Sequence, residues 1–282
     1  MDFKRLSIIK TKILSLRYYI ISLLVLLLLG YLIYFLLFMR AKDNDLEKVK
    51  FIGHGIYGID NISYTNSFES LELAIKNEIK VVEVDFLFTS DGELVLNHLW
   101  NNNIDVSYND FMNNKINDIY TPMDLKELLN YMKRYNDLYV VIDTKEDLYD
   151  NNKTIFDVYK KIVDEVILYD NKLLDRFIVQ LYNFEDYKLL KKIYDFDNKI
   201  FSVYKFSDGF TIEKVVYYCL MNDIDSIVIP YEYINDDNIN REKIKFIKSK
   251  NINIFVNTVN DYDIYNNLLD YGVDGVYTDF LK

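Results

Sequence analysis

The chain has 282 residues, half of them hydrophobic and 16% aromatic, with a formal net charge of −11 and a pI near 4.8. So much apolar surface excludes wholesale disorder, and the acidic balance excludes a dedicated nucleic-acid binder, which needs clustered Lys and Arg. The lone cysteine, Cys219 within VVYYCLM, excludes an intrachain disulfide and any zinc site built on paired cysteines, and reads as a core residue.

The first predicted element is a membrane span. Tyr18 to Met39 reads YYIISLLVLLLLGYLIYFLLFM without a charge, and a helix of that length crosses a hydrocarbon core of about 30 Å. The run is longer than the apolar region of a cleavable signal peptide, and no small-x-small cleavage site follows it. Lys4, Arg5, Lys10, Lys12 and Arg17 precede it, whereas Arg40 and Lys42 are mixed with Asp43, Asp45 and Glu47 after it. The basic excess predicts that residues 1–17 are cytoplasmic, 18–39 span the cell membrane once, 40–50 form a polar spacer, and the domain over 51–282 is extracellular.

Beyond the spacer, short β-branched or aromatic runs alternate with longer amphipathic segments. Strands are predicted near 50–54, 81–86, 138–143, 177–182, 199–204, 226–230, 252–257 and 274–278. Helices are predicted from Ser67 (SFESLELAIKNE), from Thr121 (TPMDLKELLNYMKRY, with Thr121 as N-cap and Pro122 at the first helical position) and from Arg241 (REKIKFIKSK). Eight strands with intervening helices predict an α/β fold, a (β/α)8 TIM barrel; a doubly wound open sheet is the alternative, since periodicity does not show closure.

In a barrel, functional side chains sit at the C-terminal ends of the strands. His54 ends the first predicted strand (FIGH), Glu83 and Asp85 lie late in the second, Asp143 ends the third (VID) with Lys145 just beyond, and His98 ends the extra extended run ELVLNH. Glu83 and Asp85, two apart on a strand, share one face. That face is either solvated or turned into the barrel, where two adjacent anions require a cation or a proton. With Asp143 they offer three hard oxygen ligands, a set suited to Ca²⁺ or Mg²⁺ rather than zinc. The chain has two histidines, and both fall beside this cluster, as an acid and a base flanking a metal would.

IGHG, YTNSFESLELAI, VVEVDFLFTSDGELVLNH, VVIDTK, NTVND and GVDGVYTDFL together resemble, in this order, the glycerophosphodiester phosphodiesterases of the phosphatidylinositol-phospholipase-C-like superfamily. The most specific string is E-x-D-x-x-x-T-x-D-G-x-x-V-x-x-H, from Glu83 to His98. The resemblance implies a metal-dependent phosphodiesterase with His54 and His98 as the acid/base pair and Glu83, Asp85 and Asp143 as metal ligands. Asp143 stands where the family usually has Glu; the similar sphingomyelinase D enzymes carry Asp followed two residues later by Lys, which implies a phosphate contact for Lys145. Three departures stand out: the arginine of the family's HRG is missing after His54, Thr65 replaces the glutamate of PENT, and Asn257 replaces an aromatic. Lys145 or Lys205 would then supply the positive charge, without arginine's bidentate fork.

The implied substrates are glycerophosphodiesters, lipid head groups or polyol-phosphate polymers. The alternatives are a noncatalytic barrel that binds at the surface and a sphingomyelinase-D-like lyase that releases a cyclic phosphate.

Overall fold

The computed structural model describes residues 3–38, 46, 48–98, 106–144, 154–204, 211–235 and 238–282. Lys145 and Lys205, together with Met39 and most of the spacer, lie outside the described residues. The chain divides into two compact units, Met1–Asn44 and Asp45–Lys282.

The first unit is one helix, Phe3–Phe38, which begins well before the predicted span. Its window Ser15–Leu32 has a mean hydropathy of 1.8 and none of it is buried by protein, so the helix is long and apolar enough to cross a membrane.

Among the described residues, the second unit contains ten strands: β1 (Phe51–Gly53), β2 (Val81–Phe88), β3 (Leu94–Leu96), β4 (Met123–Asp124), β5 (Tyr139–Thr144), β6 (Phe177–Leu181), β7 (Asn198–Ser202), β8 (Ser226–Pro230), β9 (Asn253–Asn257) and β10 (Gly275–Thr278). Eight are parallel, in the order β1-β2-β5-β6-β7-β8-β9-β10, and β10 pairs with β1 to close the barrel. Closure rules out the open sheet, and each of the eight predicted strands is present. The other two, β3 and β4, form an antiparallel extension on β2 that carries the chain to His98.

Strand alternation divides the core in two. Ile52, Val81, Val141, Ile178, Ile200, Val228, Phe255 and Tyr277 point inward and pack with Leu46. Their neighbours Val82, Val84, Val140, Ile142, Phe177 and Val179 point outward beneath the helices. The period of two then carries Glu83 and Asp85 above Val81, Asp143 above Val141, and Gln180 above Ile178, all toward the C-terminal mouth. The apolar inner layer is thus the floor of a polar chamber.

Helices Phe68–Lys76 and Arg241–Lys248 form where predicted, the first capped by the Ser67 hydroxyl on the Ser70 N–H. The helix predicted from Thr121 instead starts at Leu125, capped by Asp124, whose carboxylate accepts the Glu127 N–H at 2.8 Å. Thr121 is engaged elsewhere, its N–H and hydroxyl both donated to Glu69 at 2.8 and 2.7 Å. Residues 123 and 124 are held extended by β3. Asp124→Ala is therefore expected to lower the stability of the barrel by about 1–2 kcal/mol, the usual value of a helix cap, as read from urea denaturation of the full-length chain in detergent.

Candidate active site

Parallel pairing of β2 with β5 sets Asp85 beside Asp143 and Glu83 beside Val141. One carboxylate oxygen each from Glu83, Asp85 and Asp143 fall within 4.8 Å of one another, and the three residues are 2%, 0% and 7% exposed. At an effective dielectric near 20, each such pair of charges repels by roughly 3 kcal/mol. Glu83 accepts the Gly55 N–H at 2.6 Å, Asp85 accepts the Asn66 side-chain amide at 2.7 Å, and Asp143 accepts the Tyr182 hydroxyl. These neutral donors offset part of the desolvation and add no positive charge. A buried, oxygen-only triad of this kind fits a hard divalent cation.

Each carboxylate is fixed by residues distant in sequence. Asn66 is buried and clamps Asp85 twice, its amide N–H donating to the carboxylate and its carbonyl accepting the Asp85 backbone N–H at 3.1 Å. Gly55, at φ +53°, turns its N–H to Glu83, and a Cβ there would meet the Tyr64 Cα at 2.6 Å, so only glycine fits. On the far side, Tyr277 donates to Gln180 Oε1 at 3.0 Å, the Gln180 amide N–H donates to the Tyr182 oxygen, and Tyr182 donates to Asp143. Every link in that chain points its proton toward the carboxylate. Burial first, then the charge of Asp143, pushes the Tyr182 phenol well above its ordinary range, and burial with Glu83 and Asp143 does the same for Tyr277, so both remain donors.

His54 follows β1, with its backbone N–H on Thr278 O. Its Nδ1 lies 3.0 Å from the Thr258 hydroxyl and 3.3 Å from Asp279 Oδ1. Asp279 is in turn held by Asn260, whose amide donates to Oδ2 at 2.6 Å and whose carbonyl accepts the Asp279 N–H at 2.7 Å. Thr258 and Asp279 thus both face the Nδ1 side of the ring. His98 is half-buried past the end of β3, where the N–H of its neighbour Asn97 returns to Asp85 O at 3.0 Å.

The sequence-predicted Glu83, Asp85 and Asp143 thus converge, with His54 and His98 beside them. The aromatic Tyr64, which contacts both imidazoles, was not anticipated, nor were Asn66, Tyr182, Thr258, Asn260 and Asp279. Asn66, Thr258, Asn260 and Asp279 do sit inside the quoted strings YTNSFESLELAI, NTVND and GVDGVYTDFL. Their presence there was the available signal, whereas Tyr182 follows β6 with no motif around it.

The model of the glycerophosphoryl diester phosphodiesterase family matches residues 58–282, and the chain belongs to that family of phosphoric diester hydrolases. The match includes Glu83, Asp85, His98 and Asp143; His54 precedes it by four residues. Among solved structures, a glycerophosphodiester phosphodiesterase from Thermotoga maritima is similar at 22% identity and TM-score 0.61, over 82% of this chain and 94% of that one. A phosphodiesterase from Oleispira antarctica, in complex with the product sn-glycerol-3-phosphate, is similar at 17% identity and TM-score 0.64, over 82% and 92%. A glycerophosphodiester phosphodiesterase from Parabacteroides distasonis is similar at 17% identity and TM-score 0.62, over 82% and 93%. No curated protein matches the chain by sequence.

Asn66→Ala removes both clamps on buried Asp85 and leaves its N–H without that acceptor. The expected loss is about 2–4 kcal/mol of unfolding free energy, measured by urea denaturation in detergent, since each bond of this kind costs about 1–3 kcal/mol to break one-sidedly.

Proposed function

We propose that this protein is a membrane-anchored, metal-dependent phosphodiesterase in which Glu83, Asp85 and Asp143 hold a divalent cation, Ca²⁺ or Mg²⁺, and His54 and His98 transfer the protons. The observation that carries this reading is the convergence of three buried carboxylates within 4.8 Å beside the only two histidines of the chain. Such a cation, when bound, supplies positive charge to the phosphate oxygens as negative charge builds in the transition state.

The remaining steps belong to the chain's own groups. His54, whose Nδ1 side faces Thr258 and Asp279, takes the proton of the attacking hydroxyl on Nε2. His98 protonates the departing alkoxide. Gly55, Asn66 and Tyr182 keep the carboxylates in place while the charge redistributes. Lys145 and Lys205 are proposed phosphate contacts in place of the missing arginine.

The proposed substrates carry glycerol or a similar polyol on one side of the phosphate: glycerophosphodiesters, lipid head groups or polyol-phosphate polymers. The product sn-glycerol-3-phosphate of the similar Oleispira antarctica enzyme supports testing glycerophosphodiesters first. Residues 1–17 are proposed to be cytoplasmic, 18–39 to span the cell membrane, 40–50 to be the spacer and 51–282 to be the extracellular barrel. The apolar, protein-free surface of the helix supports this arrangement, as does its basic N-terminal flank.

The test is turnover of glycerophosphodiesters by the full-length chain in detergent, with chelator, with added Ca²⁺ or Mg²⁺, and beside His54→Ala and Glu83→Ala. The expected result is chelator-sensitive cleavage that falls by at least about 100-fold in both variants, through loss of a general acid/base in His54→Ala and of a cation ligand in Glu83→Ala. Phosphorus NMR of the product separates hydrolysis from formation of a cyclic phosphate. Cation binding without cleavage of any diester would replace the catalytic reading with a binding barrel.

Tyr182→Phe removes the donor to Asp143 while keeping the ring. Cation affinity by calorimetry is expected to fall by about 10-fold or more, the usual effect of losing a hydrogen bond that orients a metal ligand. No further fall is expected when the same change is made in Asp143→Asn, where that carboxylate is already gone.

A further inference from the structure

The ring of Tyr64 lies between the two histidines. Its centroid is 4.5 Å from that of His54, edge-on at 73°, and 4.4 Å from that of His98, tilted at 41°. Both separations are at the close end of the range for packed aromatic pairs, so each imidazole rests directly on the phenol ring. One side chain therefore touches two groups that follow different strands, β1 and β3.

The backbone is arranged to deliver this ring. Tyr64 has φ +60°, a left-handed conformation rare for an aromatic residue and held only where the surroundings impose it. Two constraints impose it here. Asn66, two residues on and also left-handed at φ +46°, is tied to Asp85 by two hydrogen bonds. Gly55 leaves open the space that the Tyr64 backbone enters. The loop that steadies a carboxylate of the triad thus also aims the ring between the histidines.

We propose that Tyr64 is a positioning residue that braces His54 and His98 at once and fixes the spacing and tilt at which they face the two sides of a phosphodiester. The assignment rests on the reading of these histidines as the acid/base pair. The ring, rather than the hydroxyl, makes both contacts. Burial together with the charges of Asp279, Glu83 and Asp85 pushes the phenol up to about 12. Tyr64 therefore stays neutral and adds no further anion beside the carboxylates. Proton transfer depends steeply on geometry, and a displacement of about 1 Å costs on the order of 100-fold in rate.

The chain's two histidines make the brace directly observable. With ¹³C-labelled histidine, the full-length protein in detergent gives two ring signals, both lying under the ring current of Tyr64. Tyr64→Ala is expected to move both signals, and Tyr64→Phe to return both toward their original positions. In turnover of a glycerophosphodiester, Tyr64→Ala is expected to lower kcat by about 10–100-fold with little change in KM. Tyr64→Phe is expected to recover most of that rate, and cation affinity by calorimetry to be the same in all three proteins. Tyr64→Leu, which keeps bulk without a ring, replaces Tyr64→Ala if the latter does not fold, with the same expectations.

Movement of one signal or neither in a folded variant overturns the brace, as does a kcat equal to that of the parent or no recovery with Phe. If the parent protein itself does not turn over and His54→Ala matches it, the acid/base reading fails instead. The two ring signals then decide by themselves whether Tyr64 holds both imidazoles.

Discussion

Three nearly inaccessible carboxylates lie together at the C-terminal mouth of the barrel, and much of the barrel's upper half is arranged around that constraint. Glu83, Asp85 and Asp143 are nearly inaccessible and lie within 4.8 Å of one another. Mutual repulsion and desolvation both oppose this arrangement, and hydrogen bonds from neutral donors offset only the second. Gly55, Asn66 and Tyr182 each give one carboxylate a donor. A divalent cation held by the three carboxylates would supply positive charge at this point. The strain of the surrounding loops follows from this: the left-handed Gly55, Tyr64 and Asn66 cluster where backbone and amide groups must reach inward to the acids.

The same strands serve two solvents. Below the acids, Val81, Val141 and Ile178 close the barrel with a dry apolar layer; above, the same faces carry Glu83, Asp143 and Gln180. A chain of donors from Tyr277 through Gln180 to Tyr182 ends on Asp143, so even the polar groups that line the wall away from β2 are oriented by the triad. Such a chain polarises each of its bonds in the same direction. Aspartate at this position is one methylene shorter than the family's usual glutamate, and Tyr182 fixes the shorter side chain from behind.

On the other flank, His54 is held by Thr258 and by Asp279, itself clamped by Asn260. Tyr64 then couples His54 to His98 through its ring. The arginine of the family's HRG is missing after His54, and Gly55, which follows it here, has a use of its own: its N–H binds Glu83, and its missing side chain makes room for Tyr64.

The sequence by itself determined the apolar N-terminal helix, the eight strands and the single face shared by Glu83 and Asp85, because each of these is written in a local period: an unbroken apolar run, an alternation of two, a spacing of two; that the shared face points into the barrel was decided by the fold. It also determined the family, through the string from Glu83 to His98. Where two local signals competed, as at Thr121 and Asp124, the hydrogen bonds of Thr121 to Glu69 and the pairing of residues 123 and 124 with β3 decided the helix start. Only the tertiary structure brought Asp143 beside Asp85, Asp279 and Thr258 onto His54, and Tyr64 between the histidines. These contacts depend on strand register and on closure of β10 against β1, which join residues up to 225 positions apart, and no local pattern of side chains specifies them.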